Sequence, residues 1–193
     1  MKVINLFGAP GSGKSTTMLG LTYKMKMMGL SAENTPEFYK ELILEEGDKA
    51  KFGGQLHILN NQNIRLARLE GKNDFTISDC PLPLIGYYTA DDYIQGFHDL
   101  TTTLFNKYDN VNYFILRNHE YENEKRVHDE DESDKIAVEL PLYLRRQGVD
   151  LRYIESGPDL VDNILNNLIE TNIITNAHLV QSRNAEVRNK FKM

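Results

Sequence analysis

Cysteine is all but missing from this chain: Cys80 stands alone among 193 residues. No intramolecular disulfide can form, which points to a reducing compartment. Long apolar runs are missing too. No stretch approaches the ~20 consecutive apolar residues that cross a bilayer. The opening residues, MKVINLFGAP, lack the apolar run and small-residue cleavage site of a secretion signal. The expectation is a cytoplasmic protein with no membrane partner. Glycine and proline, at 13 and 6 residues, are too few for a low-complexity chain. An excess of basic charge is also absent. Lys and Arg total 22 against 28 Asp and Glu, a formal net charge of -6, which disfavours general binding of phosphate backbones as the main activity.

What is present suits one soluble globular domain: 40% hydrophobic and 26% charged residues in a length that supports a single core. The charge is unevenly placed. Between Asn118 and Lys135 eight acids face three bases, a local net of -5, whereas the last twelve residues, Ser182 to Met193, carry a net of +3. An acidic internal segment and a basic tail therefore flank a nearly neutral body. The five histidines and single cysteine show no paired ligand spacing, so no zinc site is expected.

Periodicity divides the chain into alternating elements. Val3 to Phe7 is a short apolar run that ends in GAPGSGKST, and MLGLTYKMKMMG after it has helical spacing. A second short segment, Leu30 to Thr35, precedes Pro36, and Glu37 to Glu46 reads as helix, as does Gln55 to Glu70 with Gly71 as its cap. Asp74 to Asp79 is a strand that stops at Cys80-Pro81-Leu82-Pro83. A helix from about Asp92 to Lys107 leads to a strand at Val111 to Leu116. Ile136 to Gln147 is helical, with Pro141 restarting or kinking it. A fifth strand at Asp150 to Glu155 and an amphipathic helix at Pro158 to Glu170 follow. This alternation predicts an α/β fold with a mainly parallel five-stranded sheet between two helical layers. The expected organisation is one domain over residues 1–170, with a mobile lid at about 118–135 and a tail at 171–193 that has no clear place in the core.

One motif carries the chemistry. Gly8-Ala9-Pro10-Gly11-Ser12-Gly13-Lys14-Ser15 fits G-x-x-x-x-G-K-[ST] between a predicted strand and a predicted helix. Glycines let backbone N–H groups converge on phosphate oxygens without Cβ clashes, and the following helix adds the positive end of its dipole. Gly8, Pro10, Gly11, Ser12, Gly13, Lys14, Ser15 and Thr16 are thus the expected nucleotide-binding residues. Lys14 would reach the β- and γ-phosphates of ATP and Ser15 would ligate Mg²⁺.

Phosphoryl transfer also needs carboxylates for the metal shell and for the acceptor. Asp79 ends a predicted strand, where ligands of open α/β sheets collect, and is the second candidate for magnesium. Its alternative role is to cap the next turn. Glu37, across Pro36 from the second strand, is placed near the acceptor, unless it only complements a helix dipole. Arg117 closes the fourth strand and Arg126 lies in the acidic segment; either can neutralise charge on the transferred group, or pair with neighbouring acids. Tyr87, Tyr88 and Tyr93, and His57, Gln62 and Asn63 on the long helix, are weaker candidates for an acceptor pocket.

With these residues in place, the chain resembles the P-loop kinases of nucleosides, nucleotides and polynucleotide ends. TPEFYKELI, the helix containing Gln62, and SDCPLPLIGYY look like the nicotinamide-ribonucleoside-kinase-like group of small bacterial and phage P-loop proteins. The resemblance spans about residues 1–170. It implies that Lys14 and Ser15 handle ATP and Mg²⁺, that Glu37 or Asp79 serves the acceptor hydroxyl, and that Arg117 or Arg126 belongs to the lid. Cys80-Pro81 departs from it, standing where many nucleoside kinases have an Arg. The expected activity is transfer of the γ-phosphoryl group of Mg-ATP to a hydroxyl of a nucleoside, nucleotide or related small molecule. Alternative acceptors are a DNA end or a hydroxymethylated base, as in phage DNA kinases. A further alternative is an ATPase that switches partner binding.

Overall fold

The computed structural model describes residues 1–46, 54–118 and 129–179. Five strands form one sheet: β1 (Lys2–Phe7), β2 (Ala32–Thr35), β3 (Phe75–Ser78), β4 (Asp109–Leu116) and β5 (Arg152–Glu155). Their order is β2-β3-β1-β4-β5 and every neighbouring pair is parallel. The expected α/β/α architecture is therefore present. The central strands are buried on both sides, which is why they read as near-continuous apolar runs.

Two cores cover the two faces. On one, Met18, Leu21 and Met25 of α1 (Lys14–Met27) and Ile164, Leu165 and Leu168 of α7 (Leu160–Glu170) pack on Ile4, Leu6 and Ile77. On the other, Val3, Phe7 and Phe114 meet Leu59 and Leu66 of α3 (Gly54–Ala67), together with α4 (Leu82–Tyr87), α5 (Phe97–Phe105) and α6 (Glu130–Arg146). Helix α2 (Phe38–Glu46) lies beside α3. The link from β1 to β2 crosses one face and the link from β3 to β4 the other. The carboxyl ends of β1, β3 and β4 thus frame the crevice where open α/β sheets bind ligands.

Four differences from the sequence reading have local causes. Pro81 and Pro83 do not merely end β3. They open α4, because the first turn of a helix needs no N–H from its own residues. The predicted helix at 92–107 is confined to Phe97–Phe105, entered through Gly96 at φ 80°. Helix α6 starts at Glu130, six residues before the periodicity suggests, and continues through Pro141. Asp129 caps it by accepting from the Glu132 N–H at 2.9 Å, and the Glu132 carboxylate accepts from the Asp129 N–H in return. The described part of the acidic segment is therefore largely the first turn of a helix, where negative charge is favoured. Finally, the start of the tail belongs to the core. Ile173 and Ile174 are buried with α7, their N–H groups both donating to the Leu168 carbonyl at 2.9 Å.

Candidate functional site

The loop between β1 and α1 is built around glycines that other residues cannot replace. Gly8 has φ +148°, and a Cβ there would lie 2.8 Å from the Ile115 carbonyl and 2.5 Å from Ser12 Oγ. Gly13 takes φ 90° and precedes α1 without any side-chain cap. The N-terminus of α1, with the positive end of its dipole, faces this loop, as an anion site requires. The Lys14 ammonium lies back across the loop and donates to the carbonyls of Gly8 at 2.7 Å and Ala9 at 3.0 Å.

The expected metal pair is together. Ser15 Oγ donates to Asp79 Oδ2 at 2.6 Å, joining the first turn of α1 to the residue after β3. Asp79 is 4% exposed, and its other oxygen, Oδ1, has no hydrogen-bond partner among the described residues. Ser12 Oγ, Thr35 Oγ1 and Ser78 Oγ share that condition. Thr35 and Ser78 are the last residues of β2 and β3 and are register partners. Buried polar atoms are nearly always paired, so these unpaired oxygens, in the glycine loop and at the carboxyl ends of β2 and β3, mark a place for bound groups. A hydroxyl and a carboxylate are hard oxygen donors that fit Mg²⁺. That ion needs few protein ligands because it keeps waters and phosphate oxygens.

Glu37 joins this group in space. Burial pushes its carboxyl above the ordinary range, and the nearby Asp79 charge pushes it further, against the pull of Lys14 and Lys40. Burial first, then Glu37 and Asp79, also hold the Cys80 thiol well above its usual value. Cys80 is therefore an inert thiol packed beneath two acids.

Arg117 is 12% exposed at its side chain and pairs with Asp134 and, at 3.7 Å, with Glu130, both on the first turns of α6. Arg126 lies outside the described residues. The weaker candidates are engaged elsewhere. Tyr87 packs edge-on against Tyr88 and Tyr143, and Tyr93 accepts from the Leu56 N–H at 3.2 Å while packing on Phe97. Asn63 accepts from the Tyr108 hydroxyl, His57 stands against the Phe38 ring, and Gln62 holds backbone at Pro36 and Phe38. Thr16 is exposed at the start of α1.

Ser133 escaped the sequence reading. It is fully buried and its hydroxyl donates to the Pro10 carbonyl at 2.8 Å, fastening α6 to the phosphate loop. The signal was available: Asp129 and Glu132 have capping-box spacing, which starts the helix early enough to put Ser133 in its first turn.

Among solved structures, the chain is similar to deoxyadenosine kinase from M. mycoides, at 18% identity and a TM-score of 0.51, covering 87% of this chain and 98% of that one. It is also similar to shikimate kinase from Aquifex aeolicus, at 16% identity and a TM-score of 0.49 over 90% and 99% of the two chains. The APS kinase of Mycobacterium tuberculosis gives 12% identity and a TM-score of 0.47 over 86% and 95%. No curated protein sequence matches. Residues 3–158 match the family described as the AAA domain, and with its glycine loop seated between β1 and α1 the chain belongs to that family.

Proposed function

We propose that the protein is a P-loop kinase that transfers the γ-phosphoryl group of Mg-ATP to a hydroxyl of a nucleoside, nucleotide or related small molecule. The carrying observation is the grouping of Glu37, Asp79 and Lys14 at the glycine loop, with Asp79 Oδ1 buried and unpartnered among the described residues. A loop that only bound nucleotide would need Lys14 and Ser15. A second carboxylate, its affinity for protons raised by burial and then by the first, is what an acceptor hydroxyl requires. The deoxyadenosine kinase likeness supports the fold on which this reading rests.

In this reading the loop amides and Lys14 hold the phosphates, and Lys14 exchanges its two carbonyl contacts for phosphate oxygens. Ser15 and Asp79 hold the magnesium shell, and bound Mg²⁺ supplies neutralisation of phosphate charge. Glu37 accepts the proton of the acceptor hydroxyl. Arg117, drawn from Asp134 and Glu130, neutralises charge on the transferred group.

The test is to incubate the protein with γ-labelled ATP and a panel of nucleosides, nucleotides and oligonucleotides, with and without hydroxymethylated bases. Label on a nucleoside or nucleotide, lost in Glu37→Gln, is the expected result. Label on oligonucleotides alone favours the polynucleotide acceptor. Phosphate release that requires an added protein partner, with no labelled acceptor, overturns the kinase reading.

A further inference from the structure

Glu37 lies between two peptide units that are both held by one turn of α3. The peptide before it presents the Pro36 carbonyl, which accepts from Gln62 Nε2 at 3.3 Å and from an Arg65 guanidinium nitrogen at 3.2 Å. The peptide after it presents the Phe38 N–H, which donates to Gln62 Oε1 at 2.9 Å. These two planes meet at the Glu37 Cα, so fixing both fixes φ and ψ of Glu37 together. A single carboxamide spans them, its oxygen on one and its nitrogen on the other.

The holders are themselves held. Gln62 is 0% exposed. Arg65 makes a two-pronged contact with Glu41 and lays its guanidinium over the Phe38 ring at 5.1 Å. That side chain is thereby locked by a carboxylate and an aromatic face at once, a geometry that a lysine cannot reproduce. Gln62 was a candidate for touching substrate. Both ends of its amide are instead engaged by backbone.

We propose that Gln62 and Arg65 are positioning residues that fix the backbone at Glu37 and so aim its carboxylate at the acceptor hydroxyl. This rests on the reading of Glu37 as the acceptor-side carboxylate. Gln62 and Arg65 act through Glu37, and they leave the phosphate loop untouched.

The experiment is a double-mutant cycle on the full chain. Steady-state transfer from γ-labelled Mg-ATP is measured for the native protein, Glu37→Gln, Gln62→Met and the double variant. The acceptor is the best of the panel, or water where only phosphate release occurs. Methionine keeps the side-chain volume and removes both hydrogen bonds. In the native background Gln62→Met is expected to lower kcat on the order of 10- to 100-fold, the effect of misplacing a reacting group by about an ångström. KM for ATP should stay within about twofold, as for a residue outside the phosphate site. In the Glu37→Gln background the same substitution should cost little more, because nothing remains to be aimed. Equal losses in both backgrounds, or a raised KM for ATP with kcat intact, overturn the inference in favour of a packing role. If Gln62→Met fails to fold, Arg65→Lys carries the same cycle. Glu37→Gln with native activity, or no turnover by the native protein, overturns the kinase reading itself. Glu37→Gln inactive beside a fully active Gln62→Met overturns the positioning role alone.

Discussion

The two sides of the site are made of different materials. The proposed phosphate side is backbone: glycines at φ values that other residues rarely adopt, the N-terminus of α1, and one lysine resting on two carbonyls. The proposed acceptor side is side chain: the backbone on either side of Glu37 is held by Gln62 and Arg65, and Arg65 in turn by Glu41 and the Phe38 ring. Backbone geometry tolerates one kind of residue per position and so leaves a pattern in the sequence. A side-chain scaffold can be built many ways and leaves almost none. The phosphate side should therefore break at single atoms, and the acceptor side should yield by degrees.

The largest effect is expected at Lys14. Lys14→Ala should lower phosphoryl transfer by on the order of 10²–10³-fold or more, the range for removing one charge-stabilising donor, with little change in melting temperature. Native-like transfer in that variant would move the site elsewhere. Gly8→Ala comes next. It places a Cβ 2.8 Å from the Ile115 carbonyl at φ +148°. A residue forced into a sparsely populated backbone region costs about 1–3 kcal/mol. Thermal melts should show the loss directly, and nucleotide binding should fall with it. An unshifted melt would mean that the loop relaxes freely and that its backbone is less exacting than its shape implies.

Smaller effects are expected at the junction of the two sides. Arg117 pairs with Asp134 and Glu130 on the first turns of α6. The Asp134 side chain is 63% exposed, so the pair is screened and worth at most about 1 kcal/mol. Asp134→Asn should raise ATP affinity by about two- to fivefold at low salt, a change within that energy, and the gain should vanish at high salt as screening removes it. Affinity that does not respond to salt would make these acids only a helix cap.

How much of this was legible follows from the same contrast. The positions of the glycine loop, Lys14, Ser15 and the strand ends Asp79 and Arg117 could be read because a one-dimensional motif and a strand boundary encode them directly. The parallel sheet was legible because doubly covered strands are apolar throughout. The start of α6 was not, since eight acids among eleven charged residues look like a solvated run until Asp129 and Glu132 are seen as a capping pair. The helical role of Pro81 and Pro83 was hidden for a related reason: proline ends a strand and begins a helix by the same loss of an N–H. The backbone contacts of Gln62 and Arg65 were illegible. Their partners are backbone atoms 24 to 29 residues away, and the spacing of a single helix says nothing about which loop it will meet.

The finest test compares two carboxylates on adjoining turns of the acceptor side. Glu37 and Glu41 are four residues apart, yet their environments push them in opposite directions. Burial and then Asp79 raise Glu37, whereas the Arg65 hydrogen bond lowers Glu41. A raised carboxyl binds its proton more tightly when folded. Its contribution to stability is complete below the unfolded pKa and is lost as pH rises through the folded one. A lowered carboxyl contributes above the unfolded pKa and loses that contribution as pH falls through its folded value. Glu37→Gln should therefore raise the melting temperature at pH 7, and the gain should disappear in acid. Glu41→Gln should lower it at pH 7 by no more than a few degrees, because a partly exposed pair is worth less than about 1 kcal/mol, and that loss too should fade in acid. Melts taken without nucleotide or magnesium keep Lys14 and Asp79 in the surroundings that set these shifts. If both variants lose stability at pH 7, Glu37 is an ordinary structural carboxylate. If Glu37→Gln alone gains, the protein holds a charge at its acceptor side at the expense of its own fold, as a group kept for chemistry must.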